Sequence, residues 1–264
     1  MPERTKRATK PQAAPAQQYS APALEKGLDI LEVLCRSDRG LSTKELSAKL
    51  GRSVGEIYRM LTCLINRNYV ANNGETYALT TRLFELSHIH PPTERLLQEC
   101  VPVMLELADR LDQSCHVTVY NRGKQVVLAK VDAPTGMGFS MRVGAEIGVT
   151  QSASGRVLLA FQDPDTMRMR LEESMEGTSR KEVLEMGNLL REVARNGFAS
   201  FESNQFRGLH AVSFPILNSQ QQALASLTVP YLERLDRDDR KSLIEVERVL
   251  GEAARKLTRR MGGR

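Results

Sequence analysis

The chain has 264 residues and a mass of 29.5 kDa, room for one large domain or two of ordinary size. Hydrophobic residues make up 41% and charged residues 26%, proportions that argue against a disordered or fibrous chain, and the longest apolar run, Val157 to Phe161, is far short of the roughly 20 residues of a membrane span. The net charge of +5 is uneven: Arg4, Lys6, Arg7 and Lys10 against Glu3 give residues 1–20 a charge of +3, leaving +1 for residues 21–80 and +1 for the remainder. A basic excess toward one end suggests an anionic partner there, nucleic acid ahead of a membrane because no basic amphipathic anchor is evident.

In chain order, residues 1–22 combine prolines with alanine, glutamine and basic side chains and read as a flexible basic arm that buries too little apolar surface to order itself. Absence of an apolar core in the first twenty residues, and four scattered cysteines, lead us to expect a cytoplasmic location with reduced thiols. Leu24, Leu28, Leu31 and Leu34 then recur at steps of four and three, predicting a helix over about 23–36. Ser42-Thr43-Lys44-Glu45 is a capping-box pattern opening a short helix to Leu50. After Gly51, Ser53 is a plausible N-cap for a third helix to about Asn66, with Val54, Ile57, Leu61, Leu64 and Ile65 on its buried side and Gly55, Glu56, Arg59, Thr62, Cys63 and Asn66 on the other. Two β-prone segments flank Asn73-Gly74, a signal for a two-residue hairpin turn. Helix, helix, helix and hairpin spell a winged helix-turn-helix, predicted over residues 23–81.

Leu83, Phe84, Leu86 and Ile89 predict a short linker helix within 82–92, ended by Pro91-Pro92. A second domain, 93–264, opens with a helix carrying Leu97, Val101, Met104, Ala108 and Leu111. Six strands are expected at Cys115–Tyr120, Val126–Val131, Met137–Val143, Phe198–Phe201, His210–Ile216 and Ala223–Val229, with helices near 154–162, 164–175 and 181–195 between them. A last helix lies within Asp236–Arg260. The fold class is α+β.

Three blocks make the chain resemble the IclR family of transcriptional regulators. They are the winged helix, with Leu41 to Leu46 and Tyr58-Arg59; Arg142-Val143-Gly144 through Ser152-Ala153-Ser154-Gly155-Arg156; and Gly197-Phe198-Ala199 with Gly208-Leu209 and Pro215-Ile216. The resemblance implies a C-terminal effector-binding domain on a six-stranded antiparallel sheet, similar to GAF and PAS folds, and a homodimer or dimer of dimers on operator DNA. For DNA contact it points to Thr43, Lys44, Arg52, Ser53, Gly55, Glu56, Arg59, Thr62, Asn66 and Arg67. Arg59 can reach a guanine or a phosphate, while Glu56 can accept from a cytosine or merely cap its helix.

For the effector pocket the resemblance points to Met141, Thr150, Ser152, Ala153, Ser154, Phe201, Ala211, Ser213 and Thr228, with departures. Ala211 replaces a frequent cysteine, Phe201 an acid, Thr228 and Pro230 two serines, and Thr150 a histidine. The helix start at Ala153-Ser154 keeps its character, and its free N–H groups can hold a carboxylate or carbonyl oxygen. Met137, Phe139, Met141, Phe201 and Phe214 are expected around it, an apolar lining for an effector larger or more hydrophobic than a glyoxylate-sized acid. Two alternatives stay open: a DNA-binding dimer that senses no ligand, and a hydrolase using Ser152 or Ser154 with His210, which lacks the G-x-S-x-G elbow. No metal site is expected, since His88 and His90, and Cys115 and His116, sit at spacings that point the paired side chains apart. No cofactor is expected either, there being no phosphate-binding glycine motif.

Overall fold

The computed structural model describes residues 21–236 and 241–264, so the expected basic arm lies almost wholly outside them, as do residues 237–240 before the last helix. Contacts divide the chain into two units that meet in sequence between Ile89 and His90. The first comprises helices α1 (Pro22–Cys35), α2 (Thr43–Leu50) and α3 (Val54–Asn66), strands β1 (Val70–Asn72) and β2 (Tyr77–Leu79), and helix α4 (Arg82–His88). Local devices start its two central helices. The Ser42 hydroxyl accepts from the Glu45 backbone while the Glu45 carboxylate accepts from that of Ser42, and Ser53 with Glu56 repeats the arrangement on α3. Gly51 ends α2 at a φ of +62°, a left-handed value that costs a glycine nothing.

Ile30, Leu34, Leu46, Ile57 and Leu61 meet in this unit's core together with Leu41, Val70 and Tyr77 from the loop and wing. Three expectations need correction. Leu24 and Leu28 are exposed, because α1 turns Lys26, Asp29, Ile30 and Leu34 inward, a face fixed by ion pairs from Lys26 to Glu56 (2.5 Å) and from Asp29 to Arg52 (2.9 Å). Val54, on the first turn of α3, is half exposed. The hairpin turn is displaced by one residue: Asn73 N–H donates to the Thr76 carbonyl, so Gly74-Glu75 are central, and only Gly74 has positive φ. A turn centred on Asn73-Gly74 would need positive φ at both.

The second unit is a six-stranded antiparallel sheet in the order β5-β4-β3-β8-β7-β6, from β3 (Cys115–Asn121), β4 (Lys124–Val131), β5 (Glu146–Gly148), β6 (Ala199–Glu202), β7 (Leu209–Leu217) and β8 (Ala223–Leu232). Helices α5 (Pro91–Leu111) and α9 (Leu243–Arg260) cover one face, contributing Met104, Leu107, Val246 and Leu250 to a core with Val117, Val212 and Leu227. Helices α6 (Ala153–Ala160), α7 (Pro164–Ser174) and α8 (Arg180–Asn196) cover the other, where Val157, Leu159 and Leu190 meet Ala199. Cys100 and Cys115 are buried in the first of these cores, where desolvation pushes both thiols up to about 12, whereas Cys35 and Cys63 of the first unit are exposed.

Two sequence expectations fail here. Met137–Val143 is not a strand: Gly138 within it and Gly136 and Gly144 on either side hold positive φ, and the edge position passes to β5. On α5 the buried stripe runs Leu96, Cys100, Val103, Leu107 and Leu111, so Val101 is exposed and Leu97 lies at the margin.

Candidate functional site

The first candidate surface is the outer side of α3. Gly55, Tyr58, Arg59, Thr62, Cys63 and Asn66 are all exposed there, and nothing stands within 4 Å of where a Gly55 side chain would begin. Arg59, Lys44, Lys49 and Arg67 make no ion pair among the described residues, so their charges stay available to a polyanion. Two candidates are otherwise engaged. Arg52 reaches Asp29, and Glu56 uses one oxygen on Lys26 and the other on Ser53. The Lys26 hydrogen bond first, and then those of Ser53, pull the Glu56 carboxyl down to about 2. Thr43 is half-buried beside exposed Lys44 at the start of α2, and Thr62 donates its hydroxyl to the Tyr58 carbonyl. Tyr58, 61% exposed, extends the surface beyond the expected set.

The second candidate is a cavity of about 190 Å³ in the second unit, between the start of α6 and the sheet. Of the expected residues, Met141, Ser152, Ala153, Ser154, Phe201, Ala211 and Thr228 line it. Thr150 does not; its carbonyl accepts from Arg156 Nε, whose guanidinium lies 4.3 Å over the Phe201 ring. Ser213 is one step deeper, fully buried under α6 and accepting from the Thr228 hydroxyl. Phe214 faces the opposite core, stacked on Phe198 at 4.7 Å, and Met137 is exposed, so neither belongs to the lining. Phe139 does line it, tilted against Phe206 at 4.9 Å.

A buried polar chain fixes the start of α6. Thr118 donates to Gln125 Oε1, Gln125 Nε2 donates to Ser152 Oγ at 2.6 Å, and Ser152 donates its own proton to the Gly148 carbonyl while capping Gly155 N–H. Gly155 is pressed so closely on Val149 that a Cβ would sit 2.2 Å from its backbone. Ala153 and Ser154 N–H remain without partners among the described residues, two donors held in place at a helix N-terminus. The structure does not bring together the residues of the hydrolase alternative: Ser152 Oγ donates to the Gly148 carbonyl, and His210 contacts Ser200 at 2.9 Å rather than Ser152 or Ser154.

Sequence reasoning missed His116, Gln151, Ser203, Gln205, Phe206, Leu209 and Ile147 as lining residues. His116 becomes legible only through strand pairing, which sets it directly beside Thr228. Among the described residues, no lysine, arginine, aspartate or glutamate lines the cavity. A larger cleft of about 280 Å³ beside Asp112, Arg234 and Lys241 has its charge answered internally, Arg234 lying 3.3 Å from Asp112 and 2.6 Å from Asp236.

Residues 23–74 match the IclR helix-turn-helix domain, and residues 93–259 match the family described as bacterial transcriptional regulator IclR C-terminal, which alone covers more than half the chain. The chain belongs to the IclR family. IclR regulators of known sequence include HTH-type transcriptional regulator KdgR of Escherichia coli, 27% identical over 252 residues, spanning 93% of this chain and 95% of that one. Among solved structures, an IclR homologue from Microbacterium hydrocarbonoxydans complexed with 4-hydroxybenzoate superposes with a TM-score of 0.73 at 18% identity, covering 90% and 98% of the two chains. Pseudomonas aeruginosa HmgR gives 0.70 at 21%, covering 92% and 100%. As an IclR regulator the protein is a DNA-binding transcriptional regulator with a C-terminal effector-binding domain.

Proposed function

We propose that the protein regulates transcription without catalysis, reading a two-fold operator through α3 of two copies and responding to a small monocarboxylic effector in the cavity under α6. The observation that carries this reading is the uncharged cavity, whose polar contacts include the free N–H groups of Ala153 and Ser154. Two fixed donors on a helix dipole suit a carboxylate, and the phenyl and thioether walls suit an apolar body. An engineered cavity of about 150 Å³ admits benzene, so 190 Å³ accommodates one ring with small substituents.

On the DNA side, Gly55 leaves room for close approach, Arg59 supplies a base or phosphate contact, and Thr43, Lys44, Thr62, Asn66 and Arg67 flank it. Glu56 and Arg52 act by holding α1 against α3 rather than by touching bases. Dimerisation is supported by α4, which buries none of its own residues while Phe84 and Ile89 are each 64% exposed, an apolar strip that a second copy would cover. Two winged helices then reach half-sites about 34 Å apart, and an effector acts by favouring one spacing over another.

The test is fluorescence anisotropy of the full chain on a duplex selected from random sequence. A selected two-fold repeat, with affinity changed at least fivefold by 4-hydroxybenzoate or another ring-sized acid, is the expected result. Specific binding that none of a panel of such acids alters, together with no thermal shift of the protein, would establish instead the ligand-independent dimer.

A further inference from the structure

Among the described residues that line the cavity, one has a fully buried side-chain polar atom for which the protein supplies no partner, His116 through its Nδ1. His116 stands on β3, on the α6 side of the sheet, flanked by Lys130 of β4 and Thr228 of β8. It is 5% exposed, Nδ1 is sealed from solvent, and neither ring nitrogen hydrogen-bonds to any described residue. Its neighbours are committed elsewhere. The Thr228 hydroxyl donates to Ser213 at 2.9 Å, and the Lys130 ammonium is held by both Asp132 oxygens at 2.8 Å and by Ser140 at 3.3 Å. A buried polar ring left unpaired is destabilising, and such groups in folded proteins are satisfied by protein, water or ligand. The residue lines the cavity whose opposite requirement, a carboxylate at α6, is already met by backbone donors.

We propose that His116 is a specificity-determining residue of this cavity, its imidazole taking a hydrogen bond with a hydroxyl at the far end of a ring-sized carboxylic acid. The inference rests on the reading of the cavity as the effector site and narrows its ligand to a hydroxy acid. Three features fix the class. A neutral imidazole offers one acceptor and one donor, which match a hydroxyl, whereas a second carboxylate would face no cation in the lining. Burial pushes the ring down to about 4, keeping it uncharged near neutrality. The floor of the cavity runs from His116 through Thr228 to Ala211 and Phe201 on four successive strands, roughly 14 Å at about 4.8 Å per strand, so a single small anion cannot span it.

The experiment is calorimetric titration of the full chain with 4-hydroxybenzoate and with benzoate, which share ring and carboxylate and differ in the hydroxyl alone. Wild type should bind 4-hydroxybenzoate at least tenfold more tightly. His116→Phe should bring that ratio near one by weakening 4-hydroxybenzoate binding, and His116→Gln, which restores a donor and an acceptor, should recover part of it. Nitrogen NMR of the histidine rings in the unmutated protein gives a readout independent of variant folding: the His116 resonances should move with 4-hydroxybenzoate and stay with benzoate. Binding of both probes with a ratio that His116→Phe leaves intact, or with unmoved His116 resonances, overturns the role of His116 and leaves the cavity an effector site. Failure of 4-hydroxybenzoate to bind wild type at millimolar concentration overturns the hydroxy-acid class, and failure of both probes overturns the carboxylate reading beneath it as well.

Discussion

The outer face of α3 and the cavity under α6 treat polar groups in opposite ways. On the first, charges are either answered by an adjacent opposite charge, as Glu56 is by Lys26, or stand in water, as Arg59 and Lys44 do. The cavity wall carries hydroxyls, amides, an imidazole and two backbone donors, and no charged side chain among the described residues. Exposed cations attract a polyanion across about one Debye length, roughly 8–10 Å at moderate salt, and weaken as salt rises. Sealed dipoles act by contact and shape and are screened little. On the proposed reading, the two units would divide recognition between a salt-sensitive surface and a salt-indifferent one.

The largest expected effect comes from breaking the cavity side. Gly155→Val forces new carbon into the Val149 backbone, which cannot retreat as a flexible side chain could, and should destabilise the second unit by about 3 kcal/mol or more. Urea unfolding should show that unit's transition moved to lower denaturant while the first unit's is unchanged. A variant as stable as wild type would show that α6 can rise off the sheet.

Next comes pH. The His116 imidazole sits at about 4 in the folded chain against about 6.5 unfolded, so between those values the unfolded chain binds more protons and stability falls as pH falls. The window opens near pH 6.5 and closes near pH 4, and the loss across it is up to about 3 kcal/mol. His116→Phe should flatten that limb of the stability curve. Persistence of the same slope in the variant would place the titration on another group.

The smallest effect sharpens the DNA side. Arg59→Ala should weaken operator binding by about 1–3 kcal/mol if the guanidinium reads a base, or lower the salt slope by about 0.9 if it neutralises one phosphate. Effector titrations of the same variant should be unaffected by it and by salt. An unchanged Kd and slope would remove Arg59 from the contact surface.

The same contrast governs how much could be read from sequence. Helices α2 and α3 were legible to the residue because Ser42 with Glu45 and Ser53 with Glu56 are signals contained within four positions. The start of α6 at Ala153-Ser154 came from the family resemblance, and the Ser152 cap on Gly155 that fixes it is seen in the structure. Leu24 and Leu28 misled because leucines at helical spacing mark a face only if something covers it, and the long-range ion pairs of Lys26 and Asp29 set α1 differently. The cavity floor depends on register between strands more than a hundred residues apart, so His116 beside Thr228 had no local signature. Met137, Phe139, Met141 and Val143 read as a strand by their alternation, and only the structure shows the positive φ at Gly136, Gly138 and Gly144 that breaks one.

Both exposed thiols belong to the first unit, and both buried ones to the core of the second. A small haloacetamide added to the native chain will therefore alkylate Cys35 and Cys63 and spare Cys100 and Cys115 until the second unit opens. Cys63 lies among the side chains proposed to enter the groove, whereas Cys35 ends α1 outside that set. In one digest, then, Cys63 can serve as an occupancy footprint, Cys35 as its internal standard, and the buried pair as a clock for unfolding, with no engineered label.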